Sequence, residues 1–94
     1  MAAYIIVEYV VTDDAAFAEF SKRTASAVEA HGGRYLVRGA VEVLDGDWTP
    51  ERMVVVEFEN SDAARAWLDS SDYAELKALR QRATRASVVF AEGV

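Results

Sequence analysis

Hydrophobic and polar positions along the chain change their period several times, and each period predicts one element. The segment Ala3 to Val11 is rich in β-branched and aromatic residues, which favours a strand. From Asp13 to the pair Gly32-Gly33, apolar residues recur every three or four positions, as they do in an amphipathic helix. We expect Thr12 or Asp13 to cap its first turn and a glycine to end it.

The middle of the chain predicts two strands joined by an elaborated turn. Arg34 to Asp45 has a strand pattern that Gly39 interrupts, which indicates a bulge or a bend at that glycine. The loop Gly46 to Glu51 holds the only proline and leads into a third strand, Arg52 to Glu59. The two strands are expected to pair as a hairpin.

The last third of the chain predicts a helical region and a fourth strand. Asn60 or Ser61 caps a helix, the run Ser70-Ser71-Asp72 breaks it, and a further helical piece follows. Ser87 to Glu92 is a short apolar strand. The order β-α-β-β-α-β over residues 1–94 predicts a single α+β domain, with a four-stranded antiparallel sheet and two helices on one face.

The strands carry more apolar residues than a sheet with one solvated face needs. Ile5 to Val7, Val54 to Val56 and the pair Val88-Val89 place apolar residues on both alternating sets. Helices on one face would leave the other as an uncovered apolar patch, which is typical of an interface. We therefore expect a homodimer in which two sheets meet face to face under two-fold symmetry.

Composition and charge exclude several classes of function. The 94 residues are 52% hydrophobic and 28% charged, and none is a cysteine, which excludes disulfides, thiol nucleophiles and thiolate metal sites. No apolar run reaches the roughly 20 residues that span a bilayer, and the first residues lack the features of a signal peptide, so we expect a cytoplasmic protein that contacts no membrane. The net charge of -6 disfavours nucleic acid as a partner.

Charged residues within the strands are the first candidates for chemistry. They are Glu8, Glu57, Glu92, Arg34 and Arg38. By the two-residue period of a strand, Tyr35 and Val37 face the helices, and Arg34 and Arg38 face the opposite side. There the arginines either form salt bridges with the glutamates that fix the register or the dimer, or line a pocket for an anionic group.

The remaining candidates lie on or near the helices and the hairpin loop. His31, the only histidine, is expected to be a cation at a helix C-terminus, with a general acid or base role as the alternative. No metal site is expected, because there is no second histidine. Trp48, Trp67 and Tyr73 either pack in the core or an interface, or line a pocket. Arg80 belongs to a basic run that is either a solvated helix face or an anion-binding element.

Four stretches of the chain, taken together and in order, carry a family resemblance. They are GGRYLVRG (residues 32–39), VLDGDWTPER (43–52), VEFENSDAARAW (56–67) and SDYAELKALR (71–80). Over nearly the whole chain they resemble the bacterial family known as domain of unknown function 1330. The resemblance implies a ferredoxin-like fold of the dimeric α/β-barrel superfamily and a cytoplasmic homodimer, without an established activity. The family's motif positions fall on Arg34, Arg38, Trp48, Trp67, Tyr73 and Arg80.

The leading hypothesis is a small homodimeric protein that binds a small organic anion in a cavity between sheet and helices. Its anchors would be Arg34, Arg38 and Arg80. The alternative is a cofactor-independent enzyme in which Glu57, Glu8 or His31 transfers a proton. The resemblance implies this alternative, because the superfamily includes monooxygenases and isomerases of that kind. A third hypothesis is a purely structural dimer whose arginines are all paired. No cofactor is expected under any of them.

Overall fold

The computed structural model describes all residues 1–94, which form four strands and three helices. In chain order these are β1 (Ala3–Val11), α1 (Asp14–Ala30), β2 (Arg34–Ala40), β3 (Arg52–Phe58), α2 (Ser61–Leu68), α3 (Ser71–Ala83) and β4 (Thr84–Glu92). The predicted break in the second helical region is present, because α2 ends and α3 begins on either side of Ser70. None of the three helices has the length and apolar character that crossing a membrane requires.

The strands form one antiparallel sheet in the order β2-β3-β1-β4, which confirms the predicted α+β, ferredoxin-like fold. Residues that pair across neighbouring strands share a face, so the register defines two surfaces. The inner face, which the helices cover, carries Ile5, Val7, Val54, Val56 and Val88. The outer face carries Ile6, Glu8, Val37, Val55 and Val89.

Side-chain oxygens cap all three helices. The Asp13 carboxylate, the Asn60 amide oxygen and the Ser70 hydroxyl each accept a hydrogen bond from the backbone N–H three residues further on, at 3.0, 2.9 and 3.1 Å respectively. Each cap satisfies one of the amide donors that the first helical turn leaves without a partner. Of the predicted alternatives, Asp13 rather than Thr12 and Asn60 rather than Ser61 are the caps.

Two strand boundaries differ from the prediction. β2 ends at Ala40 rather than at Asp45, and residues 41–51 form a loop whose base is held by one backbone bond, from Val41 N–H to the Glu51 carbonyl at 3.3 Å. β4 begins at Thr84, directly after α3, rather than at Ser87. Its first residues are polar or small, but they pair with the end of β1, and this ladder outweighs their weak strand pattern.

A register shift in β2 reverses the predicted orientation of two side chains. The pairing with β3 is regular up to Tyr35 and resumes at Val37, so Leu36, and not Gly39, is the extra residue of a β-bulge. Because strand side chains alternate, one extra residue moves every later side chain to the other face. Arg38 therefore lies on the inner face and Val37 on the outer face, and the prediction for both was wrong.

The apolar core fills one end of the space between the inner face and the helices. Phe58 and Val28 are its largest fully buried side chains, and Trp67 and Leu76 are buried beside them. Gly33 lies against this cluster, since a Cβ atom there would stand 2.8 Å from Val28 Cγ1 and 2.9 Å from Phe58 Cζ. A side chain larger than hydrogen at this position would therefore require Val28 or Phe58 to shift.

The outer face of the sheet is apolar and uncovered in the protomer. Val37 and Val89 are 43% and 54% exposed. Arg34 lies on this face as predicted, and its Nη2 atom is 2.8 Å from Oε1 of Glu57, its cross-strand neighbour. Glu8 is also on this face, but most of the surface is apolar, which is typical of an interface.

Candidate functional site

A cavity of about 460 Å³ lies between the inner face of the sheet and the helices α1 and α3. Its volume falls in the range of small-molecule sites. The aromatic side chains that line it are Tyr9, Phe17, Phe20, Tyr35, Trp67 and Tyr73. They come from three different parts of the fold, the sheet, α1 and the α2–α3 region, so the cavity exists only in the folded domain.

The aromatic walls are themselves packed and therefore ordered. On the α1 side, Phe17 stacks on Tyr9 with ring centroids 5.5 Å apart and contacts Phe20 at 6.1 Å. On the α3 side, Tyr73 meets Trp67 edge to face at 5.5 Å. Such contacts hold rings in place, and flat apolar walls favour a flat apolar ligand.

Every charged side chain that lines the cavity is cationic. These side chains are Lys22, Arg38, Arg52 and Arg80. The salt bridges of the protein lie elsewhere, and they join Arg23 to Glu75, His31 to Asp72 and Arg34 to Glu57. The cavity cations therefore have no carboxylate partner, although the chain as a whole carries a net charge of -6. Clustering of one sign of charge in a cleft attracts ligands of the opposite sign.

The three arginines reach the cavity from opposite sides. Arg38 and Arg52 lie on the inner face of β2 and β3, two residues apart in register, and the Arg38 guanidinium carbon is 4.8 Å from the centroid of the Tyr35 ring. Arg80 projects from α3, where its Nη1 atom is 3.4 Å from the Tyr73 hydroxyl oxygen. Stacking against rings orients guanidinium groups while it leaves their N–H donors free for an anion.

Two residues of the lining, Tyr35 and Thr24, carry hydroxyl groups that are partly or fully buried. Burial raises the pKa of Tyr35 above its ordinary value of 10.0, and the neighbouring Arg38 offsets this only in part, so the phenol stays protonated at neutral pH. The Thr24 Oγ1 atom is buried and has no hydrogen-bond partner. An unpaired buried hydroxyl is unusual in a folded protein, and here it belongs to a cavity-lining residue.

Of the residues predicted as ligand-binding, Arg38, Trp67, Tyr73 and Arg80 line the cavity. The structure does not bring Arg34 and Trp48 to it. Arg34 is paired with Glu57 on the outer face, and Trp48 lies 61% exposed in the loop 41–51.

None of the predicted proton-transfer candidates lines the cavity. Glu8 and Glu57 lie on the outer face, where Glu8 is the cross-strand neighbour of Ser87 and Glu57 that of Arg34. The His31 Nε2 atom is 3.0 Å from Oδ2 of Asp72, and its ring packs against Trp67 at 4.9 Å. His31 thus contacts a wall of the cavity without lining it. Nowhere do three or more His, Asp or Glu side chains come together in a way that could hold a metal ion.

Arg52, Lys22 and Thr24 are cavity residues that sequence reasoning missed. For Arg52 a signal was present, because it precedes Val54 and Val56 at the two-residue spacing of one strand face. Once Val56 is assigned to the core, Arg52 follows onto the inner face. Lys22 carried no such signal, since a lysine on an amphipathic helix is an ordinary surface residue. Thr24 did carry one, because it lies four residues from both Phe20 and Val28, on the apolar face of the predicted helix.

These features define a class: a ferredoxin-like α+β domain with an aromatic, cation-lined cavity between sheet and helices. Residues 2–94 match the family described as Domain of unknown function (DUF1330), and the chain belongs to that family. The predicted resemblance is thereby confirmed. No curated protein matches the sequence.

Solved structures share the fold at low sequence identity. A protein of unknown function from Rhodopseudomonas palustris superimposes with a TM-score of 0.77 at 16% identity, covering 99% of this chain and 82% of that one. SnoaB, a cofactor-independent oxygenase from Streptomyces nogalater, superimposes with a TM-score of 0.72 at 14% identity, and the match covers 99% of this chain and 93% of that one. A dimeric ferredoxin-like protein of unknown function from Thermobifida fusca superimposes with a TM-score of 0.68 at 17% identity, and the match covers 99% of this chain and 92% of that one. At these identities the likeness shows the fold alone.

Proposed function

We propose that this protein is a homodimer that binds a small organic anion with an aromatic or apolar body in the cavity between the sheet and the helices α1 and α3. The observation that supports it is the sign of the charged lining: every such side chain is cationic, and none is in a salt bridge. An anionic group that enters meets guanidinium groups with free donors, which bind carboxylates and similar oxyanions in a charge-assisted manner.

The aromatic lining also restricts the shape and polarity of the uncharged part of the ligand. Trp67, Tyr73 and Phe20 present apolar ring surface, which favours a flat, largely apolar body over a sugar or a small inorganic ion. Arg38 and Arg80 approach the cavity from the sheet and from α3, so both are candidate anchors for the anionic group. Arg52 adds a further cation beside Arg38.

The outer face supports the dimer. It is largely apolar and uncovered in the protomer, and the protein from Thermobifida fusca that shares the fold is described as dimeric. Burial of apolar surface stabilises an interface by about 25 cal/mol per Å². Because the cavity lies on the inner face, two outer faces can meet while both cavities stay open to solvent.

The test compares two probes of nearly the same shape, benzoate and the uncharged benzyl alcohol. Binding is followed by NMR chemical-shift changes on the labelled protein. We expect benzoate to bind and benzyl alcohol to bind at least tenfold more weakly, since a charged hydrogen bond contributes about 1.5–3 kcal/mol. Arg80→Gln should lower benzoate affinity by a similar factor.

Arg82→Gln is the matched control, because Arg82 is on the same helix but exposed and outside the cavity. It should bind benzoate as the wild type does. Equal binding of both probes, or equal loss in both variants, would contradict the proposal.

A cofactor-independent enzyme is the second candidate. What favours it is that SnoaB, a cofactor-independent oxygenase, has the same fold. Since Glu57, Glu8 and His31 lie outside the cavity, any proton transfer at the ligand falls to Tyr35 or to water. Oxygen uptake with a panel of small phenols tests this candidate. Turnover that survives Glu57→Gln and is lost in Tyr35→Phe would support an enzyme that acts in the cavity. Turnover that is lost in Glu57→Gln would instead assign the proton transfer to the Glu57 carboxylate, outside the cavity.

A further inference from the structure

The cavity has cations and hydroxyl donors but no base. Its lining contains no Asp, Glu or His side chain. Its titratable groups are tyrosines, a lysine and arginines, and the Tyr35 phenol remains protonated at neutral pH. A proton that a ligand loses in this cavity therefore has no acceptor in the lining and must go to water.

The same lining favours the ionised form of a weak acid. An opposite charge within about 4–6 Å lowers the pKa of an acid by about 1–3 units. Arg38 and Arg52 on the sheet and Arg80 on α3 supply such charges without competing carboxylates.

We infer that the cavity takes up weakly acidic hydroxyl compounds with a flat apolar body, meaning phenols and the enols of aryl-substituted 1,3-dicarbonyls, as their conjugate bases. The ligand O–H bond breaks, its electron pair stays on the ligand oxygen, and the proton passes to solvent, which reaches the exposed lining residues Arg38 and Arg52. This inference rests on the proposed function, since it needs an anion site in the same cavity. It goes further because it assigns a ligand class that is largely uncharged in free solution and becomes an anion on binding.

The probe that tests it is 4-nitrophenol, whose phenolate absorbs visible light and whose phenol does not. Its ionisation is titrated by absorbance with and without excess protein. We expect the midpoint to fall by about one pH unit or more in the complex. Benzoate, competing for the same cavity, should restore the free midpoint. The negative net charge of the protein works against such a shift, so weak association with the surface does not imitate it.

Variants connect the shift to the cavity. Arg38→Gln and Arg80→Gln should each reduce it, and Arg82→Gln should leave it unchanged; circular dichroism shows that all of them are folded. Binding of 4-nitrophenol with an unchanged or raised midpoint, while benzoate binds, would overturn this inference and leave the proposed function standing. Failure of both probes to bind would overturn both. An undiminished shift in the Arg38 and Arg80 variants would place its origin outside the cavity and would also overturn the inference.

Discussion

Two threonines line the cavity, and their hydroxyl groups are in opposite states. Thr84 is 6% exposed, and its Oγ1 atom donates to the Arg80 carbonyl oxygen at 2.9 Å. The Thr24 Oγ1 atom is buried as well but has no partner. Replacing each threonine by valine keeps the branched shape and removes the hydroxyl. The pair of substitutions therefore separates the cost of burying a hydroxyl from the benefit of bonding it.

The two changes should have opposite signs. Thr24→Val is expected to raise the free energy of unfolding by about 1 kcal/mol, because an unpaired buried hydroxyl costs about 1–3 kcal/mol. Thr84→Val is expected to lower it by about 1 kcal/mol, since a net hydrogen bond contributes about 0.5–1.5 kcal/mol. In a domain of this size 1 kcal/mol shifts Tm by about 4–8 °C. The Tm of Thr24→Val should therefore lie above that of the wild type, and the Tm of Thr84→Val below it.

Urea and thermal denaturation, followed by circular dichroism, measure both differences. All samples need the same protein concentration, because the stability of the proposed dimer would depend on it. Thr24→Ser serves as the control, since it keeps the hydroxyl, loses the methyl group and should be less stable than the wild type. A loss of stability in Thr24→Val equal to that in Thr84→Val would refute the reasoning, because it would mean that Oγ1 of Thr24 is hydrogen-bonded after all.

Three further predictions concern the core, the phenol and the outer face. Gly33→Ala should lower the free energy of unfolding by about 1–3 kcal/mol in urea denaturation, because the new Cβ would stand 2.9 Å from Phe58 Cζ; wild-type stability would show that the core can shift. The pKa of Tyr35 is raised by burial above 10.0, so above that pH the folded chain holds a proton that the unfolded chain loses, and stability should fall as pH rises. Tyr35→Phe should make this fall shallower in urea denaturation at alkaline pH, and an unchanged slope would assign it to other groups. Val89→Asp, which places a charge on the outer face, should convert the dimer to a monomer in light scattering, whereas Ala15→Asp on the exposed side of α1 should not; dimers in both variants would argue against this interface.

Most of the fold follows from local patterns. Helix ends could be predicted because capping depends on a few neighbouring residues, and Asp13, Asn60 and the serine run after Leu68 mark the helix boundaries that the structure has. Strand identities could be predicted from β-branched content. The strand ends were less predictable, because β4 extends back to Thr84 through pairing with β1, and pairing is not a local property.

Less of the candidate site could be predicted. Trp67, Tyr73 and Arg80 stood out as large or charged side chains in helical segments, and they line the cavity. Arg38 stood out too, but it was assigned to the wrong face, and Arg52 was overlooked. Glu8 and Glu57 are proton-transfer candidates because a glutamate within a strand needs a partner, but the sequence does not reveal on which face of the sheet that partner lies.

The sequence by itself determined which segments are strands and helices, that both faces of the sheet are apolar, and that the chain carries arginines able to bind an anion. These properties depend on residue type and spacing over a few positions. Only the tertiary structure decided which arginines share a cavity. The physical reason is the two-residue period of a strand, in which the single extra residue at Leu36 moves Arg38 from one face to the other. Whether that residue is accommodated as a bulge depends on pairing with β3, which lies beyond the loop 41–51.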